Sequence, residues 1–255
     1  MKKIIQIIFL ALLIQSGCDF YPNVPDQLVD GTSYDLAAIL ERTVSAEFHP
    51  NLPSSKTYYQ GNGVIGHSHH YYDSQGKELL TVGLNPEKDT TGISLFTYSE
   101  KGLLTAKRVH SLRNQAFPLE KFEYYYDESD KLKQISRNGE NFEKYEYNEM
   151  GQVEKVILGG NLQLGEIYIF EYDSLGRVKR QLYKSQIEGD SPLRDLYYGY
   201  NSDGLLVSKS IPISNTEMGM MFEYRYDAQK RLIEEIEYYP EYGFSLWLRN
   251  TIHYD

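Results

Sequence analysis

One nine-residue pattern, Phe170-Glu171-Tyr172-Asp173-Ser174-Leu175-Gly176-Arg177-Val178, recurs seven times at intervals of 21 to 28 residues. A recurrence that short confines the chain to an array of like supersecondary units, each too small to bury a core alone. Phe170 and Tyr172 are two apart and share one face of a strand. Asp173 and Gly176 hold the first and last places of a four-residue turn: the Asp oxygen accepts from the backbone two residues on, and Gly takes a positive φ without steric cost. Val178 begins the returning strand, so the unit reads as a β-hairpin.

The anchor tyrosines are Tyr72, Tyr98, Tyr126, Tyr147, Tyr172, Tyr200 and Tyr226, with Tyr254 as an eighth. Two residues before them stand His70, Phe96, Tyr124, Tyr145, Phe170, Tyr198, Tyr224 and Ile252. Charged residues such as Glu123, Glu146, Glu171 and Arg225 fall between, the alternation of strands with one face buried and one in water. After the anchors come turn-closing oxygens, from Asp73 to Asp227. Four places on stand the turn glycines Gly76, Gly102, Gly151, Gly176 and Gly204, with Asp130 and Lys230 as exceptions; a left-handed Lys230 costs about 1 kcal/mol relative to Gly. Six places on, the residues are apolar except Glu78, so the returning strand is expected to bury the same side. On that parity Lys155, Arg180 and Glu234 belong to the aromatic face.

The run Tyr172 to Arg177, Tyr-Asp-x-x-Gly-Arg, resembles the YD repeat of the bacterial Rhs family and of teneurins, and the likeness extends over roughly residues 66 to 255. The resemblance implies consecutive hairpins laid side by side in a strip that curls. In large members the strip closes into a shell around a toxin; here the repeats are too few for that, and hairpin architecture without a toxin domain is the expectation.

A continuous aromatic face cannot stay in water, since such a patch would far exceed the few hundred Å² typical of monomers. Seven hairpins and a closing strand make about fifteen strands, and sheets beyond about ten curl or fold back. The expected fold is all-β: tandem antiparallel hairpins in a curled sheet, barrel-like roll or two stacked layers. One short helix is expected over Ser33–Arg42, capped by Ser33, with Leu36, Ile39 and Leu40 on the face that packs on the sheet or fills an open end.

Lys2 and Lys3, the apolar run Ile4 to Ile14, and Ser16-Gly17 before the only cysteine have the layout of a secretory signal and resemble the lipobox of bacterial lipoproteins. Gln15 departs from the apolar residue usual there. This divides the chain into a signal peptide (1–17), a lipidated Cys18 with a Pro-marked tether (18–56), and the repeats (57–255). It places the protein in the bacterial cell envelope, anchored to a membrane by lipid and most simply to the outer membrane. The run is shorter than the roughly 20 residues that span a bilayer. A membrane barrel with its aromatic face in lipid is weighed against by the lipobox and by charges such as Lys155 on that face.

The net charge of −10 argues against a nucleic-acid partner. The sequence has no Gly-x-Ser-x-Gly elbow, phosphate-binding loop or His-Glu-x-x-His, and lipidation consumes the only thiol. No cofactor is implied. His67 and His69 share a strand face and make a weak metal pair without a third ligand, and His70 substitutes for a ring in the ladder. Tyr71, Tyr125, Tyr197, Tyr239 and Trp247 lie off the ladder, where exposed rings would stack on glycans or anchor a protein. The reading is a non-enzymatic, lipid-anchored binding or scaffolding protein with a glycan or envelope protein as partner. The alternative is an envelope enzyme assembled from scattered loop residues, which a deep polar pocket with convergent acids or His would reveal.

Overall fold

The computed structural model describes residues 39, 42–43, 49–112, 119–159, 166–185, 195–214, 217–239, 243 and 245–254. Cys18, nearly all of the tether and most of the expected helix lie outside the described residues.

The described residues form sixteen strands. The first eight are β1 (Ser55–Gln60), β2 (Gly63–Tyr72), β3 (Glu78–Leu84), β4 (Thr90–Tyr98), β5 (Leu104–Ser111), β6 (Leu119–Tyr126), β7 (Leu132–Arg137) and β8 (Glu140–Tyr147). The rest are β9 (Val153–Leu158), β10 (Glu166–Tyr172), β11 (Val178–Ser185), β12 (Leu196–Tyr200), β13 (Leu206–Pro212), β14 (Met218–Tyr226), β15 (Leu232–Tyr239) and β16 (Ser245–His253). Each pairs antiparallel with its sequence neighbours, and β1 pairs with β16 to close a barrel. An antiparallel sheet can close on itself only with an even number of strands. The expected fifteen therefore becomes sixteen, and β1, just ahead of the first repeat, supplies the difference.

The turns form one rim. In the first, Gly76 N–H donates to the Asp73 carbonyl at 3.0 Å and Asp73 N–H to the Lys77 carbonyl at 2.9 Å, a type I turn ending in a left-handed residue. Asp73 Oδ1 also accepts from the N–H groups of Gln75 and Lys77, and Asp127, Asp173, Asn201 and Asp227 repeat this pair of bonds. Gly176 has φ of 76°. Asp130 and Lys230, at 60° and 64°, adopt the same turn without being glycine, and each side chain or its partner bridges to an adjacent turn, through Lys101–Asp130 and Lys230–Asp203.

Beyond the turn the register corrects the expected parity. Tyr172 pairs with Val178, but Glu171 pairs with Arg180, so Lys179 is one residue too many, a β-bulge. The same shift follows each of the seven turns. It moves Lys155, Arg180 and Glu234 off the aromatic face, opposite Glu146, Glu171 and Arg225. The residues facing Tyr124, Tyr145 and Tyr198 are Ile135, Val156 and Lys209, nine places after the anchors.

The aromatic face is the inside of the barrel. Exposed side chains in the strands, such as Arg108, Tyr125, Lys144, Glu171 and Arg225, lie on the other face, while Ile135, Val156, Ile211 and Ile252 are buried among the rings. The outer wall is charged. It carries Lys144 and Lys155 on Glu146, Arg180 between Glu171 and Asp195, and Arg225 joining Glu223 to Glu234. Such exposed pairs add little stability, yet they are the opposite of the apolar band a lipid-facing barrel presents. One patch of this wall is apolar: Leu80, Val82, Leu84 and Ile93 form a fully buried cluster against which Ile39 and Tyr71 pack. Ile39 thus lies on the outside of β3 and β4 and fills no open end.

Candidate functional site

Each anchor tyrosine reaches the hairpin before it. The hydroxyls of Tyr98, Tyr126, Tyr147, Tyr172, Tyr200, Tyr226 and Tyr254 donate to the carbonyls of Glu78, Leu104, Leu132, Val153, Val178, Leu206 and Leu232, at 2.5 to 3.0 Å. Tyr72 donates to Pro53, which stands where a preceding hairpin would. Burial pushes these phenols above their ordinary range, Tyr126 and Tyr172 among them. The basic residue of the motif lies over the next anchor: Arg177 is 4.5 Å from the Tyr200 ring centroid and Arg231 4.5 Å from that of Tyr254. Anchors, turn oxygens and basic residues are thus engaged in holding the wall together.

Inside, cations lie over the ladder. Lys209 is within 5.1 to 5.8 Å of the rings of Tyr198, Phe222 and Tyr224, and burial pulls its ammonium below its usual range, partly opposed by Glu235.

Where the pattern breaks, the interior becomes polar. Two exceptions to the repeat, His70 in place of a ring and Glu78 in place of an apolar residue, meet: His70 Nδ1 is 2.6 Å from Glu78 Oε1. Thr81 donates to the same oxygen at 2.5 Å. His70 Nε2 is 3.0 Å from Ser68 Oγ, which is 3.0 Å from the Tyr58 hydroxyl. The directions follow from the carboxylate, which accepts only. Burial raises the Glu78 carboxyl, but the hydrogen bonds from His70 and Thr81 outweigh it and hold the group below its ordinary value. His70 therefore donates through Nδ1, and in the neutral imidazole Nε2 is the acceptor, which takes the Ser68 proton and leaves Ser68 Oγ to accept from Tyr58. Ser68 lines an open pocket of about 360 Å³ with Tyr58, Thr81, Ser94, Gly83 and Val109.

His67 and His69 share the outer face, opposite Thr57 and Ser55. The Thr57 hydroxyl is 3.2 Å from both His67 Nδ1 and His253 Nε2, which brings a third imidazole near. Among the described residues, no three His, Cys, Asp or Glu groups are gathered so as to hold a metal ion. Of the off-ladder rings, Tyr125 is 46% exposed, Tyr197 lies beneath Arg180, and Tyr71 packs on the apolar cluster and so offers no platform. The Trp247 side chain lies outside the described residues. Sequence reasoning missed Tyr58, Ser68, Glu78 and Thr81 as a group. The available signal was that both departures from the pattern fall in one repeat.

The family model described as teneurin YD-shell matches residues 66–245. No curated protein matches the chain. Among solved structures, a TcdB2-TccC3-TEV crystal structure is similar at 11% identity and a TM-score of 0.33, over 72% of this chain and 12% of that one. The Photorhabdus luminescens Tc holotoxin pore is similar at 10% identity and a TM-score of 0.32, over 71% of this chain and 13% of that one. A porin-like protein from Bacteroides uniformis is similar at 11% identity and a TM-score of 0.34, over 79% and 98%. The chain thus spans only a small part of the length of the toxin chains it matches.

Proposed function

This chain belongs to the teneurin YD-shell family, and from that premise we propose a lipid-anchored scaffold of the bacterial envelope whose closed barrel binds a protein or glycan at one rim. The observation that carries this reading is the run of exposed apolar side chains on the rim away from the turns. On the turn rim the backbone is taken up by its own hydrogen bonds, and Met150 and Leu175, 79% and 75% exposed, stand at separate turn tips. The opposite rim exposes Val64 and Ile65 after the β1–β2 turn, and Ile213, Met218 and Met220 around the β13–β14 connection, each 39% to 48% exposed. Exposed apolar side chains at loop ends are the material of binding surfaces where they form a contiguous patch. The lipobox-like Ser16-Gly17-Cys18 supports the anchor. Two experiments test the proposal. Cys18→Ser should move the protein from the membrane to the soluble fraction, and persistent membrane association would reject the anchor. Glycan-array and pull-down screens with that soluble chain should return a ligand whose retention Ile65→Asp and Met218→Asp weaken; unchanged retention would move the surface elsewhere.

A second reading, an envelope enzyme, is favoured by one observation: the hydrogen-bonded series from Glu78 to Ser68 that ends on an open pocket.

A further inference from the structure

Resting on that second reading, we propose that Ser68 is an acyl-accepting nucleophile, with His70 as its general base, Glu78 as the residue that positions His70, and a neutral ester of short acyl chain as the substrate class. The hydrogen bonds have the order that activates a serine. A carboxylate holds Nδ1–H of an imidazole, whose other nitrogen faces the serine hydroxyl, at 2.6 and 3.0 Å. Ser68 and His70 are two apart on β2, so the strand itself sets their separation.

The wall beside them is pared down. Four places before their anchors, three of the later repeats carry rings, Phe122, Tyr168 and Phe222, and the others Glu143, Leu196 and Asn250, whereas the first two carry Ser68 and Ser94. Small residues in place of rings leave the pocket of about 360 Å³ into which Ser68 faces. Its lining of hydroxyls, glycines, the imidazole of His67 and the apolar Ile65, Leu84 and Val109 includes no carboxylate, lysine or arginine, which fits an uncharged acyl group.

The reaction balances with water as co-reactant. Ser68 Oγ forms a bond to the ester carbonyl carbon while its proton passes to His70 Nε2. The oxyanion accepts a hydrogen bond from the Tyr58 hydroxyl, which stands 3.0 Å from Ser68 Oγ. The carbon–oxygen bond to the alcohol then breaks, and the leaving alkoxide takes the proton from His70. Water repeats the sequence on the acyl-serine, releasing a carboxylic acid and restoring the hydroxyl.

The test treats the full-length chain with a fluorophosphonate and, separately, with p-nitrophenyl acetate. The expected result is one phosphonyl adduct, located by mass on Ser68, and ester hydrolysis that Ser68→Ala abolishes and His70→Ala slows about 100-fold or more. Glu78→Gln should lower kcat about 100-fold or more while leaving KM for the acetate ester unchanged, a split that a merely loosened wall would not produce. Locating the adduct on the wild-type protein needs no variant, so a misfolded mutant cannot obscure the answer. No adduct on Ser68 overturns the nucleophile. Hydrolysis that survives Ser68→Ala but not His70→Ala also overturns it, while sparing the enzymatic reading. Absence of both adduct and hydrolysis overturns the two together.

Discussion

Replacing Tyr172 by Ala removes one ring from the middle of the ladder, and the structure sets the expected loss. Full burial of such a ring is worth about 3 to 5 kcal/mol on truncation, but Tyr172 is half-buried, so its packing contributes about 2 kcal/mol. Its hydroxyl adds a hydrogen bond to the Val153 carbonyl at 2.5 Å, a net of about 1 kcal/mol. Tyr172→Ala should therefore cost about 3 kcal/mol, and Tyr172→Phe, which keeps the ring, about 1 kcal/mol. Tyr254 tests closure by the same arithmetic. It is half-buried, its hydroxyl donates to Leu232 at 2.8 Å, and Arg231 covers its ring. In an open strip the last anchor would lose the least. In the closed barrel Tyr254→Ala should match Tyr172→Ala within about 1 kcal/mol. Guanidinium melts followed by circular dichroism, compared at equal m, read all three variants. A Tyr254→Ala loss under half that of Tyr172→Ala would refute the sealed seam, and a silent Tyr172→Phe would refute the hydroxyl bond.

Gly176→Val should destabilise the protein more than Ser174→Val, because only Gly176 has φ of 76°, which a β-branched residue resists; equal melting temperatures would show the turn to be misread. Lys230→Gly should be neutral or stabilising by up to about 1 kcal/mol, since relief at φ of 64° is set against an exposed ion pair to Asp203, and a clear loss in a thermal melt would contradict it. Raised alkalinity should unfold the barrel. Burial pushes Tyr198 and Tyr224 up to about 12, so the fold favours their protonated forms; that contribution is whole below the unfolded value of about 10 and is lost as pH rises through 10 to 12. A melting temperature that stays flat from pH 9 to pH 12 would contradict this.

The hairpins were legible because strand and turn are local: a ring two places before Tyr172 and a glycine four places after it report directly on pleat and φ. The parity of the returning strands was not. One residue in a bulge, Lys179 in the fifth turn, exchanges the faces of everything after it, and no side chain there announces it. β1 escaped notice because Ser55–Gln60 lacks an anchor of its own; its place follows from pairing with residues nearly 200 positions away. His70 and Glu78 were each visible, but read separately they were a substitute ring and an exception, and Ser68 was not singled out. A pattern this regular makes its violations informative, since local rules tend to give way where a site is built.

From Tyr98 onward, each anchor-tyrosine hydroxyl bond runs from one hairpin to the hairpin before it, so none of these bonds senses how many other units there are. The circumference is consequently a count: each unit adds two strands, about 10 Å of wall at the usual strand spacing. Among the described residues, Pro53 and β1 stand outside the series, receiving Tyr72 on one side and pairing with β16 on the other. That latch fits whichever hairpin comes last. Duplication or loss of one repeat would thus yield a wider or narrower vessel with the same seam, its bore changing in discrete steps while the chemistry of the wall stays constant.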